Sequence, residues 1–225
     1  MTKKYSFKAV IFDLDGTLLD TLEDITDSVN KVLAGMDLSV YSSEQVKYFV
    51  GQGMEVLAHR VLPEKMLREA LIKTFVERLK AEYGKRWAEK TRPYDGIPEV
   101  LAELSAMEVI LNVFSNKADE FVRSSVRFFF NEITFAHVLG SRPDRPNKPD
   151  PAGALYIASA LSLSPEECVF IGDTHTDMET AVAAGMYPVG VLWGFRTEEE
   201  LRNAGAVRIF RYPLDILNFF RQNNA

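Results

Sequence analysis

From about residue 96 onward, short apolar runs alternate with segments whose apolar residues recur at helical spacing. Helix-end signals separate the runs, including Gly185 and Gly205 as stops and a capping box at Thr197 and Glu200. Alternating strands and helices fold as a parallel sheet with helices on its faces. We therefore predict an α/β fold, a doubly wound parallel sheet whose strands are the runs at 8–13, 109–114, 134–139, 168–173, 187–193 and 207–210.

The segment between the first and second runs has a different pattern. Apolar side chains share one helical face at Leu22, Ile25, Val29 and Leu33, and again at Leu67, Leu71, Phe75, Leu79 and Tyr83. No convincing strand pattern lies between these two stretches. We therefore predict a core formed by residues 1–16 and 96–225, with an inserted all-helical cap domain at 17–95.

The charge balance limits the partners that the chain can bind. The formal net charge is −6, and the 26 lysines and arginines are scattered rather than clustered. Nucleic acids and anionic membranes attract clustered positive charge, so we predict neither as a partner. An anionic small molecule would have to be held by local positive charge, because the overall field repels it weakly.

Cysteine content and run length bear on where the protein is found. Cys168 is the single cysteine, so no internal disulfide can form and a reducing compartment is expected. The first apolar run is short and meets Asp13 at once, which does not fit a signal peptide. No run approaches the roughly 18 residues of a membrane span. We predict a cytoplasmic protein that is a monomer or a weak homodimer.

Polar residues follow the predicted strands at the points where they end. In order along the chain, these residues are Asp13 and Asp15, then Ser115, Asn116 and Lys117, then Lys148, and finally Asp173 and Asp177. Ligands of open α/β sheets bind outside the carboxyl ends of the strands. Buried strands rarely finish in two acids, because removing a carboxylate from water is costly unless another group pairs with it.

Each of these residues has an ordinary structural explanation when taken alone. A lone Asp13 would be a turn residue, and Lys148 would be a solvated loop lysine. Ser115 and Asn116 would cap the helix that follows them. Asp177 at the start of a helix suits the helix dipole whatever else it does. Four such coincidences at one edge of one sheet are improbable, so a functional explanation is favoured.

The chemistry that requires this set of residues is phosphoryl transfer. An aspartate can attack phosphorus and form an aspartyl-phosphate that water then cleaves. Because nucleophile and phosphate are both anionic, a hard cation such as Mg²⁺ is required, and Asp13 and Asp173 can supply its oxygen ligands. Lys148 can neutralise the approaching phosphate, and Ser115 can donate a hydrogen bond to it. Asp15 can act as general acid and then as general base.

The motifs DLDGTLLDT, SNK, KPDP and GDTHTD resemble the four motifs of the haloacid dehalogenase-like superfamily, and the helical insert resembles its phosphoglycolate phosphatase-like branch. The resemblance spans nearly the whole chain and implies a Rossmann-like core. It implies that Asp13 is the nucleophile and a metal ligand, and that Asp15 is the acid–base residue whose backbone carbonyl also binds the metal. It implies that Ser115 and Asn116 contact the phosphate and that Lys148 organises the charges. It implies that Asp173 is the second metal-binding carboxylate, and that Asp177 supports a metal-bound water or Lys148.

Further positions are less specific. The GQG tripeptide lies where the substrate-discriminating cap loop of this family is expected, so Gly51 and Gln52 are candidate substrate contacts, with a simple turn as the alternative. Arg142 and Arg145 precede the lysine motif and are expected to be solvated loop charges, although contact with an extended anionic substrate is the alternative. His175 is expected to fill a loop beside the site rather than to bind a metal.

The resemblance implies a Mg²⁺-dependent phosphatase that acts on a small-molecule phosphate ester, with phosphoglycolate as the first candidate. A pyrophosphatase or nucleotidase, a sugar phosphomutase of the same fold, and a non-catalytic sensor or scaffold remain alternatives. Thr17 favours hydrolysis, because the related mutases often carry valine there. A non-catalytic member would be expected to have lost at least one of Asp13, Asp15, Lys148 and Asp173.

Overall fold

The computed structural model describes residues 6–223, and its central feature is one six-stranded sheet. The strands of the described residues are β1 (Ala9–Phe12), β2 (Leu19–Asp20), β3 (Arg92–Pro93), β4 (Ile110–Ala118), β5 (His137–Ser141), β6 (Cys168–Gly172), β7 (Tyr187–Val191) and β8 (Arg208–Phe210). Six of these strands form the central sheet in the order β5-β4-β1-β6-β7-β8, and every neighbouring pair in it is parallel. The predicted doubly wound parallel sheet is therefore confirmed.

Helices fill the connections between the strands. The α-helices of the described residues are α1 (Leu22–Ala34), α2 (Ser43–Phe49), α3 (Met54–Val61), α4 (Glu69–Arg86), α5 (Ile97–Ala106), α6 (Asp119–Phe129), α7 (Ala152–Ala160), α8 (His175–Ala184), α9 (Glu198–Asn203) and α10 (Asp215–Asn223), and two short 3-10 helices lie at Glu64–Met66 and Pro165–Glu167. Within residues 6–223, none of them combines the length and apolar character that crossing a membrane requires.

Strand β1 lies in the interior of the sheet and contributes side chains to the hydrophobic layers on both faces, because successive side chains of a strand point to opposite faces. Val10 and Phe12 pack in the layer formed with α5, α6 and α10. Ala9 and Ile11 pack in the layer formed with α7 and α8. All four side chains are fully buried, as expected for a parallel strand covered on both faces.

The described residues between β2 and β3 form helices and turns, as their helical spacing predicts. This inserted part has its own hydrophobic cluster, in which Val29 and Leu33 of α1 pack with Phe75 and Leu79 of α4. The predicted face differs from the structure at one end. Leu67 precedes α4 and is exposed, because the helix begins two residues later.

An antiparallel ribbon of β2 and β3 joins the inserted helices to the sheet. Beyond the ribbon, the buried carboxylate of Asp24 accepts hydrogen bonds from the backbone N–H groups of Lys90 and Thr91, which ties the two ends of the insert together. Leu18 and Leu19 pack in the main core. The division into core and cap stays a prediction, and we propose the ribbon as its physical boundary.

Strand β4 is longer than its apolar run predicts. It continues through Ala118, and its pairing with β5 becomes irregular after Phe114, so Ser115 and Asn116 lie on the distorted end of the strand. The next helix begins at Asp119, and no side chain caps its first turn. The alternative in which Ser115 and Asn116 cap that helix is therefore wrong.

Candidate active site

Asp13 directly follows β1 at the carboxyl edge of the sheet and is buried. Its Oδ1 accepts a hydrogen bond from the backbone N–H of Leu14 at 2.7 Å and lies 3.0 Å from Nζ of Lys148. Burial raises the pKa of Asp13 to about 7, an effect that Lys148 opposes and that Asp177 and Asp15 reinforce. The structure thus brings the candidate nucleophile and the motif lysine into contact.

Lys148 lies between two carboxylates. Besides Asp13, its Nζ contacts Oδ1 of Asp177 at 2.5 Å, and both side chains are fully buried or nearly so. Burial acts to lower the pKa of Lys148, but the two carboxylates outweigh it and raise the pKa above its ordinary value. The Oδ2 of Asp177 accepts hydrogen bonds from the N–H and the hydroxyl of Thr174 in a capping box of α8. Asp177 is therefore fixed by its own helix and holds Lys148.

Asp173 directly follows β6, and the backbone at Gly16 approaches its carboxylate closely. Its Oδ1 accepts a hydrogen bond from the Thr17 hydroxyl at 2.9 Å, and its Oδ2 accepts one from the N–H of Phe195 at 2.8 Å. Gly16 has a φ of 83°, and a Cβ at this position would lie 2.3 Å from Oδ2 of Asp173. Both the backbone conformation and the close approach of the carboxylate therefore require glycine here.

Three carboxylates crowd together at this edge: oxygen atoms of Asp13, Asp173 and Asp177 lie within 4.8 Å of one another. Burial raises the pKa of Asp173 well above its ordinary value, and Asp177 and Asp13 add to the effect. Asp177 is occupied by Lys148 and Thr174. In contrast, Oδ2 of Asp13 accepts no hydrogen bond from the described residues, and each Asp173 oxygen accepts only one. These free lone pairs and this crowding fit a hard divalent cation such as Mg²⁺.

Ser115 and Asn116 lie side by side but have different partners. The Oγ of Ser115 accepts the N–H of Lys117 at 3.3 Å and lines the cavity, which leaves its hydroxyl proton available to a ligand. The Asn116 side chain donates to the carbonyls of Gly51 and Lys148 at 3.1 and 3.0 Å, and accepts the N–H of Lys148 at 2.8 Å. Asn116 thus fixes the lysine loop, and its role as a phosphate contact stays a prediction.

The GQG segment lies between α2 and α3 and reaches the core. Gly51 lines the cavity and has a φ of 107°. The side-chain Nε2 of Gln52 lies 3.1 Å from Nε2 of His175, and the side-chain Oε1 of Gln52 accepts a hydrogen bond from Arg60. His175 is the first residue of α8, so the expectation that it fills a loop is wrong. Substrate contact by Gly51 and Gln52 stays a prediction.

Two arginines lie on the loop before Lys148. Arg142 is exposed, and its Nε lies 3.1 Å from Oδ1 of Asp144. Arg145 donates to the carbonyl of Gly140 at 3.2 Å. Neither side chain is among the described residues that line the cavity. Arg142 matches the expectation of a solvated loop charge, whereas Arg145 is half-buried and bound to a backbone carbonyl.

Asp15 is held by a lysine to which the sequence analysis assigns no role. The Nζ of Lys117 lies 2.7 Å from Oδ1 of Asp15 and 2.6 Å from the hydroxyl of Tyr83. Burial acts to lower the pKa of Lys117, but Asp15 and Tyr83 outweigh it and raise the pKa. The available sequence signal was the SNK motif, in which this lysine directly follows two candidate site residues.

A cavity lies between the sheet edge and the inserted helices. Its polar end is lined by Asp13, Asp15, Ser115, Asn116 and Lys117. Its other end is lined by side chains of the inserted part, namely Ile25, Val50, Met54, Leu57, Leu79 and Tyr83. A polar centre with two carboxylates therefore faces a largely apolar wall on the inserted part.

The fold and the site define an α/β enzyme whose centre is a buried carboxylate flanked by a lysine and further carboxylates. The chain belongs to the haloacid dehalogenase-like hydrolase family, whose model matches residues 10–191. It is 33% identical over 195 residues to a phosphoglycolate phosphatase of Haemophilus influenzae, covering 84% of this chain and 87% of that protein. It is 30% identical over 188 residues to a phosphoglycolate phosphatase of Aquifex aeolicus, covering 84% and 86%.

Solved structures are similar over the whole fold. A predicted phosphoglycolate phosphatase from Haemophilus somnus matches with a TM-score of 0.88 at 31% identity, covering 95% of this chain and 97% of that chain. A second solved structure, from Lactobacillus delbrueckii, matches with a TM-score of 0.88 at 27% identity, covering 96% of this chain and 98% of that chain. The likeness includes the inserted helices as well as the sheet, and it confirms the family and the fold class.

Proposed function

We propose that the protein is a Mg²⁺-dependent phosphatase that hydrolyses the phosphomonoester of a small metabolite through an aspartyl-phosphate. The observation that carries the proposal is the environment of Asp13, a buried strand-end carboxylate with Lys148 at 3.0 Å and Asp173 close by. A structural ion pair would not need Asp173, a further buried acid that pairs with no cation among the described residues. Membership of a hydrolase family supports the same chemistry.

In the first step Asp13 attacks phosphorus. A bond forms between its carboxylate oxygen and phosphorus, and the bond from phosphorus to the alcohol oxygen breaks with its electron pair staying on that oxygen. Asp15 gives its proton to the same oxygen, so the product leaves as a neutral alcohol. Lys148 offsets the charge between Asp13 and the phosphate, while the Ser115 hydroxyl donates to a phosphoryl oxygen.

In the second step water releases the phosphate. Asp15, now ionised, accepts a proton from the water as its oxygen bonds to phosphorus. The bond from phosphorus to Asp13 breaks, which regenerates the carboxylate and yields inorganic phosphate. The apolar wall opposite these residues limits the water that can reach the intermediate.

The residues proposed to hold Mg²⁺ are the side chains of Asp13 and Asp173 and the backbone carbonyl of Asp15. A bound Mg²⁺ would supply Lewis-acid stabilisation of charge on the transferring phosphoryl group. Asp177 would keep Lys148 in place beside this centre, since its own oxygens are already engaged.

Phosphoglycolate is the first candidate substrate, because relatives named phosphoglycolate phosphatase match most of the chain. The inserted helices cover the sheet edge, so we propose a small phosphate ester rather than a macromolecule as the substrate. A cytoplasmic location and a monomer or weak homodimer stay predictions.

The test is release of inorganic phosphate from a panel of phosphoglycolate, pyrophosphate, nucleotides and hexose phosphates, with Mg²⁺ and with EDTA. We expect metal-dependent release that Asp13→Asn lowers by roughly 10⁴-fold or more, because the nucleophile is removed. Asp144→Asn is the matched control, since Asp144 is an exposed acid paired with a neighbouring arginine, and it should retain activity.

The other outcomes of this panel each identify an alternative. Preference for pyrophosphate or a nucleotide would keep the mechanism and change the substrate. Interconversion of hexose phosphates without phosphate release would indicate a phosphomutase. No reaction with any ester, from a folded protein supplied with Mg²⁺, would refute catalysis and leave the sensor or scaffold alternative.

A further inference from the structure

We propose that Lys117 is a positioning residue for Asp15, and that Tyr83 holds Lys117 in place from the inserted helices. The inference rests on the proposed phosphatase function, because it concerns the proton that Asp15 transfers. It assigns a role to two residues that the four sequence motifs leave without one.

Asp15 has one side-chain partner among residues 6–223. The Nζ of Lys117 lies 2.7 Å from its Oδ1, and the lysine side chain is 4% exposed against 17% for the aspartate. Little water can compete for a charge buried to this degree, so the ion pair restrains the carboxylate strongly. Without Lys117, the Asp15 side chain would be free to adopt other rotamers.

Lys117 is in turn held by Tyr83 of α4. The tyrosine hydroxyl accepts a hydrogen bond from Nζ at 2.6 Å, and Nζ lies 4.7 Å from the ring centroid. The ring of Tyr83 is buried and meets Phe121 of α6 edge-on, with centroids 5.1 Å apart. Because α4 is inserted and α6 belongs to the sheet layer, these contacts connect the two parts of the molecule at Asp15.

The two buried lysines of the site serve different aspartates. Lys148 contacts Asp13 and Asp177, whereas Asp15 is the acid that Lys117 contacts. A buried ion pair is weak evidence for stability, since desolvation offsets much of the attraction. Positioning of the Asp15 carboxylate therefore explains the Lys117–Asp15 pair better than stabilisation of the fold does.

The proposal makes the effect of Lys117 depend on the leaving group. A weakly acidic alcohol needs the Asp15 proton to leave, whereas p-nitrophenolate leaves without one. The ratio kcat/KM covers only the steps through release of the alcohol, so it separates this proton transfer from the later attack of water. Misplacing Asp15 should therefore lower kcat/KM more for an alkyl phosphate than for p-nitrophenyl phosphate.

The experiment measures kcat/KM for wild type, Lys117→Met and Tyr83→Phe with p-nitrophenyl phosphate and with the alkyl phosphate that the wild type turns over best. For Lys117→Met we expect the loss of kcat/KM to be on the order of 100-fold greater with the alkyl phosphate than with p-nitrophenyl phosphate. For Tyr83→Phe, which keeps the ring packing, we expect a selective loss of about 10-fold. Lys80→Met is the control, because its exposed pair with Glu120 also joins α4 to α6 but lies away from Asp15.

Equal losses with the two esters in either variant would overturn the inference, because a merely structural role does not depend on the leaving group. If Lys117→Met does not fold, as judged by circular dichroism, Tyr83→Phe decides the question alone. A wild type that turns over neither ester refutes the proposed function itself, which is a different result from equal losses in the variants.

Discussion

At the scale of single residues, the Thr17 hydroxyl orients the carboxylate of Asp173, which we propose as a Mg²⁺ ligand. It donates to Oδ1 at 2.9 Å in a fully buried setting. Groups that orient metal ligands typically change metal affinity by 10- to 100-fold when removed. We therefore expect Thr17→Val, which keeps the side-chain shape, to raise the Mg²⁺ concentration for half-maximal activity by about 10-fold, measured by Mg²⁺ titration of phosphate release.

Thr180→Val is the matched control for this variant. Thr180 is an equally buried threonine, and its hydroxyl donates to the carbonyl of Thr176 within α8. Its removal should leave the Mg²⁺ titration where it is. An unchanged titration in Thr17→Val as well would show that the hydroxyl does not orient Asp173 for the metal.

The same scale shows what the sequence could and could not predict about the site. The sequence predicts that Asp13, Lys148 and Asp173 lie close together, because a parallel sheet collects its carboxyl strand ends at one edge, and the structure brings them together. The sequence does not predict that Lys117 pairs with Asp15, because the two residues are 102 positions apart and meet only through the pairing of β1 with β4. Helical spacing predicted that Tyr83 faces inward, but not which buried cation it would meet.

At the scale of elements, Arg196 fastens the inserted helices to the segment after β7. Its guanidinium is buried and donates to the carbonyls of Lys47, Tyr48 and Val50 at 2.6, 3.2 and 3.0 Å. The Lys47 and Tyr48 carbonyls lie in the last turn of α2, where the helix offers them no partner, and Val50 directly follows the helix. We expect Arg196→Met to lower the free energy of unfolding by about 2–3 kcal/mol, as measured by urea denaturation, because it removes three hydrogen bonds from a charged donor and one of them satisfies the buried Val50 carbonyl.

Arg202→Met is the control for the Arg196 prediction. Arg202 is half exposed and pairs with Glu198 one turn earlier in α9. An exposed pair of this kind contributes at most about 0.5 kcal/mol. If Arg202→Met and Arg196→Met shift the urea midpoint equally, the guanidinium contacts of Arg196 do not stabilise the junction.

Element boundaries were predictable where local chemistry is strong. The capping box at Thr197 and the left-handed Gly185 stand where the sequence placed them. The sequence also predicts a helix start near Asp177, but it places His175 in a loop, whereas the structure has His175 as the first residue of α8 after a capping box of Thr174 and Asp177. The extension of β4 was missed because polar residues continue the strand, which an apolar run cannot predict.

At the scale of the whole molecule, the alternation of strands and helices was sufficient to predict a parallel sheet with a helical insert. It could not predict which strands are neighbours. Strand β1 lies between β4 and β6, so Asp13 meets residues more than a hundred positions away in the chain. This topology gathers three buried carboxylates at one edge, where burial, reinforced by Asp177 and Asp13, raises the pKa of Asp173.

This crowding predicts that the fold and the metal are coupled. Mg²⁺ at about 100 times its dissociation constant should stabilise the native state by about 2.7 kcal/mol, which raises Tm by roughly 5–10 °C. Asp173→Asn should raise Tm in EDTA, because it removes one of three crowded charges, and should abolish most of the shift caused by Mg²⁺. The asparagine can keep both contacts by turning its oxygen toward the N–H of Phe195 and its amide toward the Thr17 hydroxyl.

Thermal unfolding of wild type and Asp173→Asn, each with Mg²⁺ and with EDTA, checks this coupling. Asp144→Asn removes an exposed acid and should follow the wild type under both conditions. A lower Tm for Asp173→Asn in EDTA would show that the Asp173 contacts stabilise the fold more than its charge destabilises it. An undiminished Mg²⁺ shift in that variant would show that the cation binds elsewhere. The predicted pair of effects, gained stability without metal and a lost response to metal, would identify the acid cluster as a site where stability is given up for function.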